Sequence, residues 1–527
     1  MSANDNLNSP TETTDPTLPA ETSARVASAA AVADPGGQAA LGDIRGDIVA
    51  FVAIVVMAGA GGGLFFRTSV YLTLGLVSGL AAGLGCTRWW RAVVVCALGV
   101  LAGFALASLV AAPAWPGGMF WLPNALETAA VAALVGGAVN FAVGQSARLK
   151  PLISAVAVLA LIATMWFSGF SLASVRTSVG LTPLEQLARV PRLDRNVSDG
   201  GIYLNYLEHL RAGEPYYKMA VNVIRELNAA RPESPVAIDS PLSYRLPTLY
   251  VLLAQAPSPG ALIDLMLLAA SLGVVAAYVL ARQYVAPVPA LVGAALVASM
   301  FSGYASPILL DTESWAGILA ICAVMFVVLA RRHERRTFLL HSAAAGCAFL
   351  AASVRELSVA FLLLGLAAAL LDRTGSRRRA WVPWAMAFVA TGALYAAHWM
   401  AASAAFHGLA CTRTAGFPWF HPDGSGLVSA VGLLATFGWL VPWLAGLLVA
   451  LGIIGSVLAP KDLPSRVMLT GVALGGPLVL LLLHPPGWAH YGAAPGYWGD
   501  LVIPTTLACV PLAFAALTSV RREDEPG

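Results

Sequence analysis

Charge is scarce in this chain. Asp, Glu, Lys and Arg make up 11% of its 527 residues, against 58% hydrophobic residues and a mean hydropathy of +0.75. So few charged groups exclude a set of soluble domains with ordinary surfaces. Cysteine is scarce too: five of the six, Cys86, Cys96, Cys322, Cys347 and Cys509, fall within or at the ends of apolar stretches, and Cys411 stands alone. Neither a disulfide frame nor a CxxC metal site is expected. The formal charge of +3 sits in short connectors, not on a continuous basic face, so nucleic acid is not an expected partner. A G-x-x-x-x-G-K-S/T phosphate loop is missing, and no cleavable signal peptide is read.

What the chain has is a succession of apolar runs of membrane length. A helix needs about 17 to 25 such residues to cross the hydrocarbon, and in lipid it satisfies its own backbone. Spans are expected near 47–66, 68–86, 92–112, 127–145, 151–173, 260–281, 287–305, 313–330, 338–354, 357–372, 381–405, 429–458, 466–483 and 501–519. The expected fold class is therefore an all-α polytopic membrane protein of about 14 transmembrane helices. Arg88, Arg91, Arg148, Lys150, the Arg331–Arg336 cluster, Arg377–Arg379, Lys461, Arg466 and Arg521-Arg522 fall on one side. That side is expected to be cytoplasmic, with both termini on it.

Residues 1–44, rich in Ser, Thr, Pro, Ala and Asp, are expected to form a disordered cytoplasmic tail. Residues 45–150 form a Gly- and Ala-rich accessory region of four spans, 151–519 the core, and 520–527 a second cytoplasmic tail. Between the fifth and sixth spans lies a polar interruption, Ser174 to Pro259, expected on the extracytoplasmic face. Within it Ile202, Tyr203, Tyr206, Leu207 and Leu210 recur at helical spacing, and Ala220, Val223, Ile224 and Leu227 do so after Gly213-Glu214-Pro215. Two short amphipathic helices are expected there, lying flat on the bilayer with their aromatics at headgroup depth. The run Arg245-Leu246-Pro247-Thr248-Leu249-Tyr250 reads as re-entrant or interfacial.

This topology gathers Asp199, Glu208, Asp239, Asp311, Glu313, Arg355, Glu356, Arg413, His484, His490 and Asp500 on the outer face. Ionisable groups beside a bilayer are costly unless paired or functional, so a one-sided collection points to a polar cavity open to that face. Asp199 precedes a helical pattern and reads equally as an N-cap or as a cavity carboxylate. Asp311 and Glu313, one residue apart, can present oxygens to a divalent cation such as Mg or Mn; the alternative is helix capping. Arg355-Glu356 reads as a structural ion pair or, through the guanidinium fork, as a phosphate holder, with Arg413 and Arg245 as further outer-face cations. His490 and Tyr491, in an aromatic-rich outer loop, belong to an interfacial belt or line a sugar pocket.

A large outer loop with an Asp near its start, followed by amphipathic helices and an Arg-x-Pro-x-x-Tyr approach to the next span, resembles the GT-C superfamily of polyprenyl-phosphate-sugar-dependent glycosyltransferases. The stretches Asp199-Gly200-Gly201-Ile202-Tyr203 and Leu210-Arg211-Ala212-Gly213-Glu214-Pro215-Tyr216-Tyr217 are similar to patterns found after the first core helix of bacterial members. The likeness covers roughly residues 151–519; the four preceding spans depart from the common layout. It implies a GT-C-like helical bundle in a bacterial plasma membrane with an extracytoplasmic active site. Its donor would be a polyprenyl-phosphate-linked sugar and its acceptor a glycan, glycolipid or protein. Asp199 would be the catalytic base, with Tyr203, Arg245, Arg355, Arg413, His490 and Tyr491 around the substrate and Asp311 with Glu313 as a second acidic pair. Two other classes compete: a transporter or flippase of lipid-linked intermediates, and a non-catalytic scaffold of envelope biogenesis. Transport predicts ionisable groups in the middle of spans, and the expected spans hold few.

Overall fold

The computed structural model describes residues 35–62, 68–111, 121–176, 199–230, 245–301, 312–372, 379–406, 442–482 and 501–523. Among them the regular structure is entirely helical. The chain separates into two compact units, Met1–Arg45 and Gly46–Gly527, and the second comprises the helix bundle. Every apolar stretch expected to span carries a helix. In order these are α1 (Pro35–Gly62), α2 (Thr68–Gly85), α3 (Trp89–Ala111), α4 (Trp121–Gln145) and α5 (Leu149–Arg176). After the polar interruption follow α9 (Pro259–Arg282), α10 (Pro287–Met300), α11 (Thr312–Arg332), α12 (Thr337–Val354), α13 (Val359–Leu371), α14 (Trp381–Phe406), α15 (Pro442–Leu458), α16 (Leu463–Leu482) and α17 (Ile503–Glu523). The interruption itself holds α6 (Asp199–Arg211), α7 (Tyr216–Ala230) and α8 (Thr248–Ala254).

Seven of these helices, within α3, α4, α5, α9, α11, α12 and α14, are long and apolar enough to cross a membrane. Shorter apolar helices occupy Leu74–Gly85, Pro287–Met300, Glu356–Leu371, Gly446–Leu458 and Ile503–Phe514. The chain is thus a multi-pass membrane protein in outline. One boundary differs from expectation: α1 begins at Pro35, inside the stretch read as a tail. Proline suits a first helical position, and the Gln38-Ala39-Ala40-Leu41 that follows favours helix.

Small residues let the helices approach closely. Gly75, Gly79 and Gly83 recur every fourth residue along α2 and face α4, where a Cβ on Gly79 would stand 2.6 Å from Val135 Cβ. This is small-xxx-small packing, the usual device where lipid supplies no hydrophobic drive between helices. At the other end of the chain Gly452 and Gly455 of α15 press on the backbone of α17 at Thr506 and Cys509. The spans that flank the polar interruption are joined directly, Trp166 Nε1 of α5 donating to Ser271 Oγ of α9 at 2.9 Å. This bond ties α5 to α9 near the middle of each helix.

Helix boundaries follow local chemistry. Ser258 caps α9, its Oγ accepting from Ala261 N at 3.1 Å, with Pro259 behind it. Gly213 turns the chain between α6 and α7 at φ 85°, a left-handed position that suits glycine, and Gly213 N closes on Leu210 O at 3.0 Å. At the cation-rich face, Arg331 at the end of α11 binds Asp372 beyond α13, and its Nε lies 3.1 Å from Asp462 Oδ1 before α16. Three helix ends are thereby pinned to one guanidinium.

Candidate functional site

The amphipathic helices of the polar interruption do not present their apolar faces to lipid headgroups as expected. Tyr203, Leu204, Tyr206 and Leu207 of α6 and Tyr216, Met219, Ala220, Val223 and Ile224 of α7 are all buried in protein. The pattern that signals amphipathicity does not say what covers the apolar side. Here α6 packs on α7 and α8, and α7 also reaches α14, where Tyr217 Oη and His398 Nδ1 are 2.9 Å apart. α8 is split: Leu249, Tyr250 and Leu253 turn inward, whereas Val251 and Leu252 are exposed.

The inward faces meet in a cluster of tyrosines. Tyr203 stacks on Tyr250 with centroids 5.3 Å apart, while Tyr206 meets Tyr250 edge-on at 5.4 Å and Tyr216 at 6.0 Å. Offset and edge-to-face pairs of this kind fix ring positions and add to simple burial. Tyr216 Oη donates to the carbonyl of Arg245 at 2.6 Å, holding the chain where it enters α8. Burial is the main reason that the Tyr216 and Tyr250 phenols are held well above the usual tyrosine range; neighbouring tyrosines and a carboxylate, Glu356 for Tyr216 and Glu313 for Tyr250, push the same way, and Arg245 opposes. Both stay protonated at neutral pH.

Behind the cluster lies a buried ion pair. Glu313, in the first turn of α11, is fully buried, and its Oε1 stands 2.9 Å from Arg355 Nε. Its other oxygen accepts from Thr312 Oγ1 at 2.8 Å. Arg355 occupies an extended residue between α12 and a 3-10 turn over Glu356–Ser358, so its side chain leaves from a break between helices. Glu356, expected as its partner, is the more distant one, at 3.7 Å and one-third exposed. Tyr395 of α14 braces this turn by donating to the carbonyls of Ala352 and Glu356. Taking an Arg and a Glu out of water is costly, and a pair so placed persists only where geometry compensates.

Of the residues singled out in the sequence, the structure brings together Tyr203, Arg245, Glu313 and Arg355, with Glu356. They come from four separate stretches of chain. Asp199 is the first residue of α6, one helical turn ahead of Tyr203. Glu208 is exposed on the same helix. Asp239, Asp311, Arg413, His484, His490, Tyr491 and Asp500 lie outside the described residues. Tyr250 and Tyr216 are members of the cluster too; in the sequence they stand in the Arg-x-Pro-x-x-Tyr run and the Leu210–Tyr217 stretch without a site role of their own. Among the described residues no three acidic, histidine or cysteine side chains converge as a metal would need, and both Glu313 oxygens are already engaged. No family model, curated protein or solved structure matches the chain, so function rests on these side chains themselves.

Proposed function

We propose that the chain is a membrane glycosyltransferase that moves a sugar from a polyprenyl-phosphate donor to an acceptor hydroxyl, on the extracytoplasmic face of a bacterial plasma membrane. The observation that carries this reading is the convergence of Tyr203, Arg245, Glu313 and Arg355 on one buried, tyrosine-walled region, one turn along α6 from Asp199. Clusters of paired charge are rare at the edge of an apolar bundle unless they serve a site.

The chemistry needs little. A sugar on a lipid phosphate already carries a leaving group that departs as a stable anion, so no acid has to protonate it. Asp199 takes the proton from the acceptor hydroxyl, whose oxygen bonds to the anomeric carbon from the face opposite the phosphate. The bond from that carbon to the phosphate oxygen breaks, its electron pair leaves with the polyprenyl phosphate, and the anomeric configuration inverts. Arg355 and Arg245, with Arg413 of a later outer loop, offer the positive charge that stabilises the departing phosphate. Embedding follows from the donor, whose tail stays in hydrocarbon while its head meets the outer loop. Energy is stored in the donor, which agrees with a chain that has no nucleotide-binding loop.

The test is transfer. Membranes carrying the protein are incubated with a panel of labelled polyprenyl-phosphate sugars, with and without a chelator. Wild type is expected to yield a labelled product, and Asp199→Asn to lower the rate by at least about 100-fold, the scale of a lost general base. Equal rates from the two proteins overturn the assignment of Asp199; chelator sensitivity would bring Asp311 and Glu313 in as metal ligands.

A further inference from the structure

One hydroxyl in the tyrosine cluster is left over. Tyr216 Oη donates to Arg245 O, Tyr217 Oη bonds His398, and Tyr395 Oη donates to two carbonyls of the Arg355 turn. Tyr250 is completely buried, and among the described residues its hydroxyl has no hydrogen-bond partner. Leaving a buried hydroxyl unpaired costs the fold its desolvation, so each such group calls for a cause. The buried Ser78, Ser358, Ser465 and Thr505 hydroxyls also lack a partner among the described residues, but they sit in helical turns, where a short rotor can turn back onto nearby backbone carbonyls. A phenol oxygen has no such recourse, because it stands far from its own backbone. The ring is also fixed, stacked on Tyr203 and wedged by Tyr206.

The surroundings say what kind of partner fits. The Tyr250 phenol is within electrostatic reach of Arg245 and Glu313, and Glu313 in turn holds Arg355. A proton donor within reach of one guanidinium, with a second neutralised by Glu313 behind it, suits an oxygen-rich head group that carries a single negative charge. The rings are occupied by one another, so they offer no open face for stacking a sugar; the hydroxyl is what remains for recognition. We propose that Tyr250 is a binding residue whose hydroxyl donates a hydrogen bond to an oxygen of a phosphate-linked sugar bound beside the Glu313–Arg355 pair. This rests on the glycosyltransferase reading for the class of ligand. It adds a residue to which the sequence assigns no role.

Tyr250→Phe removes one oxygen that no described residue hydrogen-bonds. The full-length protein in nanodiscs is titrated with polyprenyl-phosphomannose, polyprenyl-phosphoglucose and polyprenyl monophosphate, and its melting temperature is measured without ligand. The phenylalanine variant is expected to melt at or above the wild-type temperature and to bind at least one of these probes about 5- to 10-fold more weakly, the worth of one neutral hydrogen bond. Unchanged affinity, or a lower melting temperature, overturns the proposal. The parent reading fails differently: wild type that binds a probe but transfers no sugar removes the enzyme and leaves the Tyr250 contact standing. Wild type that binds none of the probes removes both.

Discussion

At the scale of single residues, Glu313 and Arg355 are the sharpest feature, because each is nearly or fully buried and each answers the other's charge. Removing one partner leaves the other charged and dry. Arg355→Met is expected to destabilise the protein by about 3–5 kcal/mol, and the double variant Glu313→Gln/Arg355→Met to recover a large part of that loss. Thermal melting in nanodiscs reads both; an Arg355→Met protein that melts with wild type shows the pair to be dispensable. This partnership was hidden from the sequence. Arg355 has a glutamate beside it in the chain, and nothing local says that the residue belonging to the guanidinium is a carboxylate at the start of another helix. Tyr250 was visible only as the end of the Arg-x-Pro-x-x-Tyr run; that its oxygen lacks a partner among the described residues is a tertiary fact.

At the scale of elements, hydrophobic periodicity carried most of the architecture. The helices of the polar interruption begin and break where the apolar spacing and Gly213-Glu214-Pro215 put them, because α-helical period and a left-handed turn are local properties. What covers each apolar face is a tertiary fact, and here protein takes the place expected for headgroups. Close helix contacts are similarly non-local. The α2 glycines matter through Val131, Val135 and Val139 on α4, each 56 residues further along the sequence than the glycine it meets. Gly79→Leu is expected to force these two helices apart and to lower the melting temperature by several degrees, whereas the same change at Gly144, which faces open space, leaves it unmoved. Equal melting of the two variants would show that the α2 stripe carries no packing.

At the scale of the whole molecule, the two ends of α11 define two chemically distinct faces. One end carries Thr312 and Glu313 with the tyrosine cluster beside it, and the other carries Arg331, Arg332 and the basic turn that follows. The asymmetry of cations sets the expected orientation, with the basic end inward. Lys218 on α7 and Arg335 in the basic turn are both exposed and suit a direct check. In a cysteine-free background, Lys218→Cys is expected to react with a membrane-impermeant maleimide in intact cells, and Arg335→Cys only after permeabilisation. The reverse pattern would put the tyrosine cluster in the cytosol and end the case for an extracytoplasmic transferase.

The ionic anchors at either extremity of α11 have a mechanical consequence. Glu313 is tied to Arg355 at one end and Arg331 to Asp372 and Asp462 at the other, across about 30 Å of apolar helix. Any piston-like displacement of that rod must pull Glu313 from Arg355 where neither is solvated, and Arg331 from its two carboxylates at a partly exposed end. Ion pairs at both extremities thus resist sliding of the rod along its axis.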